Sequence, residues 1–426
     1  MKKVLIITYY WPPAGGPGVQ RWLKFVKYLP EYNITPIIFV PEKPNYPIID
    51  ESLIKDVSND LDVIKFPIFE LSKFLPKIKS LNLIRSGNVA KPENQSLFHK
   101  LIYFIRGNLF IPDMKIFWKR KSVNFLLNYL SKNKIDTIIT TGPPHSIHLI
   151  GLEIKRKTNI KWIADFRDPW VKLNYLNKFK LLQFVKNKHR KLRDEVLVSA
   201  DSVIVTSQKL KNLFSEINPN VFKITNGYDF NYSKVNLDTK FSISHVGSLY
   251  NDRNPEFFWD IIEDKYNSNK DFKNKLQVNF IGNNSQKLIK YFSAKNFSSC
   301  VNFINYVDYK TALKYICSTQ VLLMLEANDE ESSYAIPGKL FDYLNSKRPI
   351  IAIGPKNSDI NSILSETNSG KFFNYDKKES LKFYIDQLYN KYKNNRLISI
   401  NSTNITAYSR NNLTKKLSKI INRENI

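Results

Sequence analysis

The chain has 426 residues, of which 42% are hydrophobic and 24% are charged. That length is long for a single hydrophobic core and predicts two domains. The proportion of hydrophobic to charged residues excludes a disordered chain. Lys and Arg number 65 against 38 acidic residues, so the formal net charge of +27 favours phosphate-bearing or other anionic partners. A compositional bias of the source genome toward Lys, Asn and Ile is an alternative explanation for part of this charge.

The cysteine content and the length of the apolar runs indicate where in the cell the protein is located. The two cysteines, Cys300 and Cys317, have neither metal-site nor redox-pair spacing, which fits a reducing compartment. We find no apolar run long enough for a membrane span or a secretion signal. We therefore expect a cytoplasmic protein, either soluble or bound peripherally to the inner face of the cell membrane.

Short apolar runs recur along the chain between helical and polar segments. Residues 4–9, 12–18 and 19–29 are predicted to form a strand, a Pro/Gly loop and a helix. Further strands are predicted at 35–40, 135–140, 161–164 and 202–206, and a second series at 242–246, 277–281, 301–303, 321–325 and 349–353. Such alternation is typical of parallel sheets, so the predicted class is α/β with two facing Rossmann-like doubly wound domains.

The domain boundaries follow from turn-forming residues. Asn226-Gly227-Tyr228-Asp229 and the polar stretch after it separate the two series of strands. We expect an N-terminal domain at 1–230 and a C-terminal domain at 231–400. The remaining residues, 401–426, are predicted to form a helix that packs back on the first domain.

Two stretches of the first domain mix apolar and aromatic residues with Lys and Arg. One interrupts the strand pattern between 69 and 134, and the other, at 172–193, has eight basic residues and no acidic residue. Basic amphipathic segments of this kind bind anionic membrane interfaces. A solvated helix face fits the same pattern equally well, and both interpretations stay open.

The first loop that can carry chemistry is Gly15-Gly16-Pro17-Gly18. Glycines let a ligand approach the backbone closely, and the helix that follows offers its N-terminus to a phosphate. The loop is not a dinucleotide fingerprint, because its spacing differs and no acidic residue ends the next strand. A simple tight turn remains an alternative explanation.

Cationic side chains follow two strands of the second series. Arg253 stands shortly after the turn at Gly247 and Ser248, where a guanidinium can clamp a diphosphate with two hydrogen bonds. Farther on, Pro337 and Gly338 open a predicted helix, Lys339 adds a cation, and Asp342 lies one helical turn later. A carboxylate in that position can accept hydrogen bonds from both ribose hydroxyls while the helix N-terminus holds the phosphates.

These motifs together resemble the retaining glycosyltransferases of family 4. The segments that carry the resemblance are Tyr9-Tyr10-Trp11-Pro12-Pro13-Ala14-Gly15-Gly16, Thr141-Gly142-Pro143-Pro144-His145-Ser146, Asp165-Phe166-Arg167-Asp168-Pro169-Trp170, Thr225-Asn226-Gly227-Tyr228-Asp229 and Pro337-Gly338-Lys339-Leu340-Phe341-Asp342-Tyr343. The resemblance implies a GT-B fold that binds the acceptor in the N-terminal domain and the nucleotide sugar in the C-terminal domain. It implies neither a metal nor another cofactor.

The resemblance also implies roles for individual residues. The implied donor-binding residues are Gly15, Gly16, Gly247, Ser248, Arg253, Pro337, Gly338, Lys339, Leu340 and Asp342. The implied acceptor-binding residues are His145 and Asp168, and the implied catalytic residues are Arg253, Lys339, Arg167 and Asp168. An internal ion pair is the alternative explanation for Arg167 and Asp168, and a structural role is the alternative for His145.

The sequence departs from the family pattern at two positions. Ser248 stands where the family usually has an arginine, so Lys339 is a candidate to complete the phosphate clamp. Tyr334 stands where many members have a first glutamate, and Glu330 or Glu331 is a candidate substitute.

The resulting hypothesis is transfer of a sugar, with retention, from a UDP- or GDP-sugar to a lipid-linked or surface-polysaccharide acceptor. One alternative is a sugar-nucleotide epimerase or hydrolase on the same scaffold. A second is a non-catalytic protein that binds membrane or another polyanion through basic side chains. Nucleic acid is not an expected partner of the enzyme, because the sequence contains no recognisable nucleic-acid-binding module.

Overall fold

The computed structural model describes residues 1–70, 97–171, 179–229, 235–395 and 402–424. The chain divides into two compact units, the first formed by Met1–Thr225 with Arg410–Ile426 and the second by Asn226–Ser409. The parts of the two basic stretches at 71–96 and 172–178 lie outside the described residues.

The first unit is built on a parallel sheet. Over the described residues its seven strands are β1 (Lys2–Ile7), β2 (Ile34–Glu42), β3 (Asp62–Pro67), β4 (Thr137–Gly142), β5 (Lys161–Phe166), β6 (Ser202–Val205) and β7 (Val221–Lys223). Their order is β3-β2-β1-β4-β5-β6-β7, so the winding direction reverses between β1 and β4. Ligands of doubly wound sheets bind at such a switch point, beyond the carboxyl ends of the strands.

Helices cover both faces of this sheet. The described helices are α1 (Pro17–Tyr28), α2 (Leu97–Leu109), α3 (Ile116–Lys132), α4 (Ser146–Lys157), α5 (Gln183–Ser199) and α6 (Gln208–Ser215). The last helix of the chain, Arg410–Asn422, belongs to this unit and packs against α1. Its buried Leu413, Leu417 and Ile420 join the same apolar core as Trp22 of α1.

The second unit repeats the same architecture. Its six described strands are β8 (Phe241–Val246), β9 (Leu276–Ile281), β10 (Val301–Ile304), β11 (Val321–Leu325), β12 (Ile350–Gly354) and β13 (Gly370–Asn374). All pairings in this sheet are parallel, in the order β10-β9-β8-β11-β12-β13. The winding reverses between β8 and β11, which places this unit's switch point at their carboxyl ends.

Seven described helices accompany this sheet. They are α7 (Glu256–Ser268), α8 (Lys270–Lys275), α9 (Gln286–Ser293), α10 (Tyr309–Ser318), α11 (Lys339–Asn345), α12 (Asp359–Thr367) and α13 (Lys378–Lys393); the C-terminal helix of the first unit is α14. Several begin at side chains that accept the hydrogen bond of a free backbone N–H, as Ser285, Asp308 and Ser358 do.

The predicted fold class of α/β doubly wound domains is confirmed, and the central strands lie where apolar runs predict them. Strands β4, β5, β8, β11 and β12 are buried at every position, as expected for parallel strands covered on both faces. The sequence did not predict β3, β7 and β13. All three are edge strands of their sheets. Strands β3 and β13 are partly exposed, and β7 has only three residues.

Candidate active site

The strand order of the second unit brings two distant segments together. Strands β8 and β11 pair side by side, with Ile243 opposite Val321. Gly247 directly follows β8, and Glu326 directly follows β11. Both residues therefore lie at the switch point, where this class of sheet binds ligands.

Gly247 makes a close approach possible at this point. Its φ of 122° is unfavourable for residues with a side chain. A Cβ atom built on Gly247 would lie 3.3 Å from Nζ of Lys339. The glycine thus permits the turn and leaves room for the Lys339 side chain beside it.

A buried histidine orients Lys339. Nδ1 of His245 lies 3.0 Å from the carbonyl oxygen of Leu323, which can only accept a hydrogen bond, so Nδ1 carries the proton. Nε2 of His245 is then an acceptor, and Nζ of Lys339 donates to it at 2.8 Å. Burial, together with the charge of Lys339, lowers the pKa of His245 well below its usual value, which keeps the imidazole neutral.

A carboxylate and a guanidinium complete the cluster. NH1 of Arg253 lies 3.9 Å from Oε1 of Glu326, and that oxygen has no hydrogen-bond partner among the described residues. Glu326 is only 4% exposed, whereas the Arg253 side chain is 36% exposed. Burial raises the pKa of Glu326 despite the opposing effect of Arg253 and Lys339.

The ammonium of Lys339 is also destabilised by its surroundings. Burial lowers the pKa of Lys339 to about 7, with Glu326 acting in the opposite direction and Arg253 in the same direction. Two cationic side chains therefore share one buried carboxylate. A bound anion would supply the negative charge that the single carboxylate leaves missing and would stabilise the charged form of Lys339.

The other predicted donor-binding residues of this unit lie on or near α11. Asp342 Oδ1 accepts a hydrogen bond from the Tyr309 hydroxyl at 2.9 Å. Pro337 and Gly338 directly precede α11, while Leu340 is fully buried in the apolar core. Ser248 follows Gly247 in the turn and is half-buried.

The candidate substitutes for the family's first glutamate differ in environment. The hydroxyl of buried Tyr334 donates to Oε1 of Glu330 at 3.1 Å. Glu331 begins the short helical turn Glu331–Tyr334 and is half-buried. The buried carboxylate nearest the two cations is that of Glu326, which sequence analysis did not single out.

In the first unit, the predicted acceptor-binding residues contact each other. Nε2 of His145 lies 2.8 Å from Oδ1 of Asp168. The His145 ring stacks on Trp170 at 4.6 Å with an interplanar angle of 5°. Burial would raise the pKa of Asp168, but His145 and the backbone N–H of Trp170 outweigh it and hold that pKa below its usual value.

Arg167 is engaged with the loop that follows β4. Its Nε donates to the carbonyl oxygen of Gly142 at 3.0 Å, and its NH2 donates to that of Pro143. A Cβ atom on Gly18 would lie 1.9 Å from NH1 of Arg167, so the guanidinium also contacts the start of α1. This side chain joins the loop after β4 to the glycine segment after β1.

Gly15 and Gly16 lie in the same first unit. The backbone N–H of Gly15 donates to the carbonyl oxygen of Ile48 at 3.0 Å. Gly16 precedes α1 with a φ of 101°, a conformation that favours glycine. The Gly15 amide is therefore already satisfied within the protein.

A buried ion pair fixes α1 against the end of β5. Asp165 accepts hydrogen bonds from NH2 of Arg21 at 2.8 Å, from Nε1 of Trp22 at 2.7 Å and from the Thr141 hydroxyl at 2.9 Å. NH1 of Arg21 donates to the carbonyl oxygen of Thr225. Asp165 lies in a motif that the sequence displays, but its partner Arg21 could not be predicted, because only the fold brings α1 next to the end of β5.

Solved structures share this architecture. Sucrose-phosphate synthase from Thermosynechococcus elongatus matches with a TM-score of 0.65 at 12% identity, over 99% of each chain. HepE from Anabaena, in complex with UDP-glucose, matches with a TM-score of 0.62 at 10% identity, over 99% of this chain and 100% of HepE. The fold is GT-B. A putative UDP-N-acetylglucosamine 2-epimerase from Listeria monocytogenes matches with a TM-score of 0.57 at 11% identity, over 100% and 98% of the chains.

At 10–12% identity, these likenesses establish the GT-B fold and no activity. No family profile and no curated protein sequence matches the chain. Among the described residues, no helix is long and apolar enough to cross a membrane, and no cluster of three or more His, Cys, Asp or Glu residues could hold a metal ion.

Proposed function

We propose that the chain is a glycosyltransferase that takes its sugar from a nucleotide-diphosphate donor, and that the second unit binds this donor. The observation that carries the proposal is the convergence of Arg253 and Lys339 at the switch point, beside Gly247. A diphosphate has the charge and size to accept hydrogen bonds from both cations. The GT-B likeness to HepE, which was solved with UDP-glucose, supports the proposal and favours UDP over GDP.

The other proposed donor-binding residues would contact the phosphates and the ribose of the nucleotide sugar. Ser248, Pro337 and Gly338 lie in the two turns beside Arg253 and Lys339, where they would line the phosphates. Asp342, one turn into α11, would accept hydrogen bonds from the ribose hydroxyls, with Tyr309 orienting its carboxylate. Gly15 and Gly16 of the first unit stay proposed donor-binding residues through the family resemblance, and the Gly15 N–H already donates to Ile48.

The proposed chemistry is substitution at the anomeric carbon. The acceptor hydroxyl oxygen forms a bond to that carbon while the bond from the carbon to the diphosphate oxygen breaks. The diphosphate leaves with the bonding electron pair, and the hydroxyl proton passes to the diphosphate or to water. Arg253 and Lys339 stabilise the charge that develops on the leaving group, so the proposal requires no metal. Retention of configuration is part of the proposal through the family resemblance.

The first unit would bind the acceptor. His145 and Asp168 contact each other next to Trp170, and we assign them to the acceptor hydroxyl. Arg167, proposed as catalytic from the sequence, would act by holding the loop after β4 against α1. A lipid-linked or surface-polysaccharide acceptor is the class we propose.

Product analysis tests this proposal. The purified chain is incubated with each of several nucleotide sugars and with membrane lipid extract as the acceptor source, and the products are separated by mass spectrometry. Release of free nucleoside diphosphate together with a sugar-bearing lipid is expected, at a rate that falls in Lys339→Met. Lys287→Met, at an exposed lysine on α9 of the same unit, is the matched control and should retain the rate.

An epimerase is the second candidate, because the Listeria epimerase shares the fold. It would convert the donor to an isomer or release the sugar without any acceptor. If nucleotide sugar is isomerised in reactions that lack lipid, that result would support an epimerase and contradict the transferase proposal. A chain that binds no nucleotide sugar and binds polyanions alone would instead support the non-catalytic alternative.

A further inference from the structure

Helix α2 exposes an apolar face. Leu101, Phe104, Ile105 and Leu109 are all exposed, and their spacing places them along one side of the helix. Tyr103 and Gly107, on another side of α2, are buried against the protein. The helix is therefore docked through one side and directs large aliphatic and aromatic groups outward.

The second basic stretch continues this apolar face. A Cβ atom on Gly107 would lie 2.6 Å from Cβ of Phe179, so the stretch packs directly on α2. Oδ1 of Asn108 accepts a hydrogen bond from the backbone N–H of Leu182 at 2.8 Å. This contact fixes the start of α5 beside the end of α2, where Leu182 and Phe184 are also exposed.

Together these side chains form what we term the apolar face: Leu101, Phe104, Ile105, Leu109, Leu182 and Phe184. Leu109 is 71% exposed and Phe184 is 64% exposed. Contiguous exposed groups of this size usually mark a surface that meets an apolar partner. Described parts of the two stretches that mix basic and apolar residues in the sequence thus lie side by side.

The two described segments that carry the apolar face are rich in basic residues. Residues 97–134 contain eight Lys and Arg residues against one acidic residue, Asp113, and residues 179–193 contain six against none. Both carboxylate oxygens of Asp113 accept hydrogen bonds from Ser146, which turns this negative charge toward the protein. Both segments therefore carry a strong net positive charge, although Lys115 and Lys119 form ion pairs with acidic side chains.

We propose that the apolar face docks on an anionic lipid bilayer. Leu109 and Phe184 would enter the interfacial region of the bilayer, while Lys and Arg side chains around them contact acidic headgroups. An anionic bilayer complements this surface in two ways: its acyl chains accept the apolar side chains, and its headgroups carry charge opposite to that of the basic side chains. The inference rests on the surface of the first unit alone and holds whether or not the second unit binds a nucleotide sugar.

Vesicle co-sedimentation tests the proposal with the full chain. The probes are phosphatidylcholine vesicles with and without phosphatidylglycerol, at low and at raised salt. The wild-type chain is expected to sediment with the anionic vesicles and to keep part of its binding at raised salt, because apolar insertion is not screened. The double variant Leu109→Ser/Phe184→Ser is expected to lose at least tenfold in partition coefficient.

The matched control is Phe383→Ser in the second unit, since Phe383 is 62% exposed and lies outside the apolar face. It should bind vesicles as the wild-type chain does. Unchanged melting temperatures would show that all three chains are folded. Equal binding by the wild type and the double variant would overturn the proposal in favour of adsorption by net charge. Absence of binding to either vesicle, or a wild-type dimer that the double variant abolishes, would also overturn it.

Discussion

Lys339 donates a hydrogen bond to Nε2 of His245 at 2.8 Å, while Nδ1 of the same ring is held by the carbonyl group of Leu323. The histidine is thereby fixed in one tautomer and presents only an acceptor to Lys339. The lysine is held in place without a full counter-charge from this neighbour. Its ammonium group is positioned for an incoming anion, at the point where the second sheet reverses its winding.

Replacing Lys339 should weaken donor binding. Hydrogen bonds to charged groups contribute roughly 1.5–3 kcal/mol, so Lys339→Met should raise the Kd for the cognate nucleotide sugar about 10- to 100-fold. Isothermal titration calorimetry measures this change. Lys287→Met removes an exposed lysine from the same unit and should leave the Kd unchanged, whereas a similar loss in both variants would point to net charge alone.

Donor binding should take up a proton near neutral pH. The pKa of Lys339 is lowered to about 7 by burial, so above that pH the free lysine is largely neutral. The donor diphosphate favours the ammonium form and raises this pKa, and affinity should therefore fall as pH rises above about 7. Calorimetry in buffers of different ionisation enthalpy, at about pH 8, should show proton uptake.

Lys339→Arg provides the control for this titration. Arginine stays charged throughout the range, so the variant should bind without proton uptake and with a flatter pH dependence. Wild-type binding without proton uptake at the same pH would show that Lys339 is already charged, or that it does not contact the donor.

The buried pair Arg21–Asp165 should dominate the stability of the first unit. Arg21→Met leaves the Asp165 carboxylate buried and without its cation, which should cost about 3–5 kcal/mol of unfolding free energy. Lys24 lies on the same helix and pairs with the partly exposed Asp56, so Lys24→Met should cost at most about 1 kcal/mol. Urea unfolding of each variant distinguishes the two; comparable losses would mean that the buried pair has no special role.

A side chain at Gly247 should destabilise the turn. Gly247→Ala places a Cβ at a φ of 122°, which should cost about 1–3 kcal/mol of stability and displace Lys339. Thermal unfolding and the donor Kd should both worsen. The neighbouring Ser248→Ala should change stability by less than about 0.5 kcal/mol, because Ser248 is only half-buried. A stable Gly247→Ala variant with normal donor affinity would show that donor binding does not require Gly247.

Much of the fold could be predicted from the sequence, because the central strands are continuous apolar runs. Strand β11 begins and ends at the predicted residues, Val321 and Leu325. The edge strands β3 and β13 are only partly buried and contain charged residues, so they lack that signal. Strand order could not be predicted either, since it depends on which runs pair across the whole chain.

The candidate site was predicted only in part for the same reason. Arg253 and Lys339 belong to local motifs, which the sequence displays directly. His245 and Glu326 acquire their significance when β8 pairs with β11, and these residues lie far apart in the chain. A histidine and a glutamate at strand ends that precede turns were the available signals.

The most direct test of the central claim is a thermal-shift titration of the wild-type chain with UDP-, GDP-, ADP- and TDP-sugars, alongside Lys339→Met and Asp342→Ala. The account predicts that one nucleotide family, expected to be UDP, raises the melting temperature of the wild type, and that both variants lose most of this shift. Absence of a shift with every nucleotide sugar, or an equal shift in the wild type and both variants, would contradict donor binding at the switch point of the second sheet.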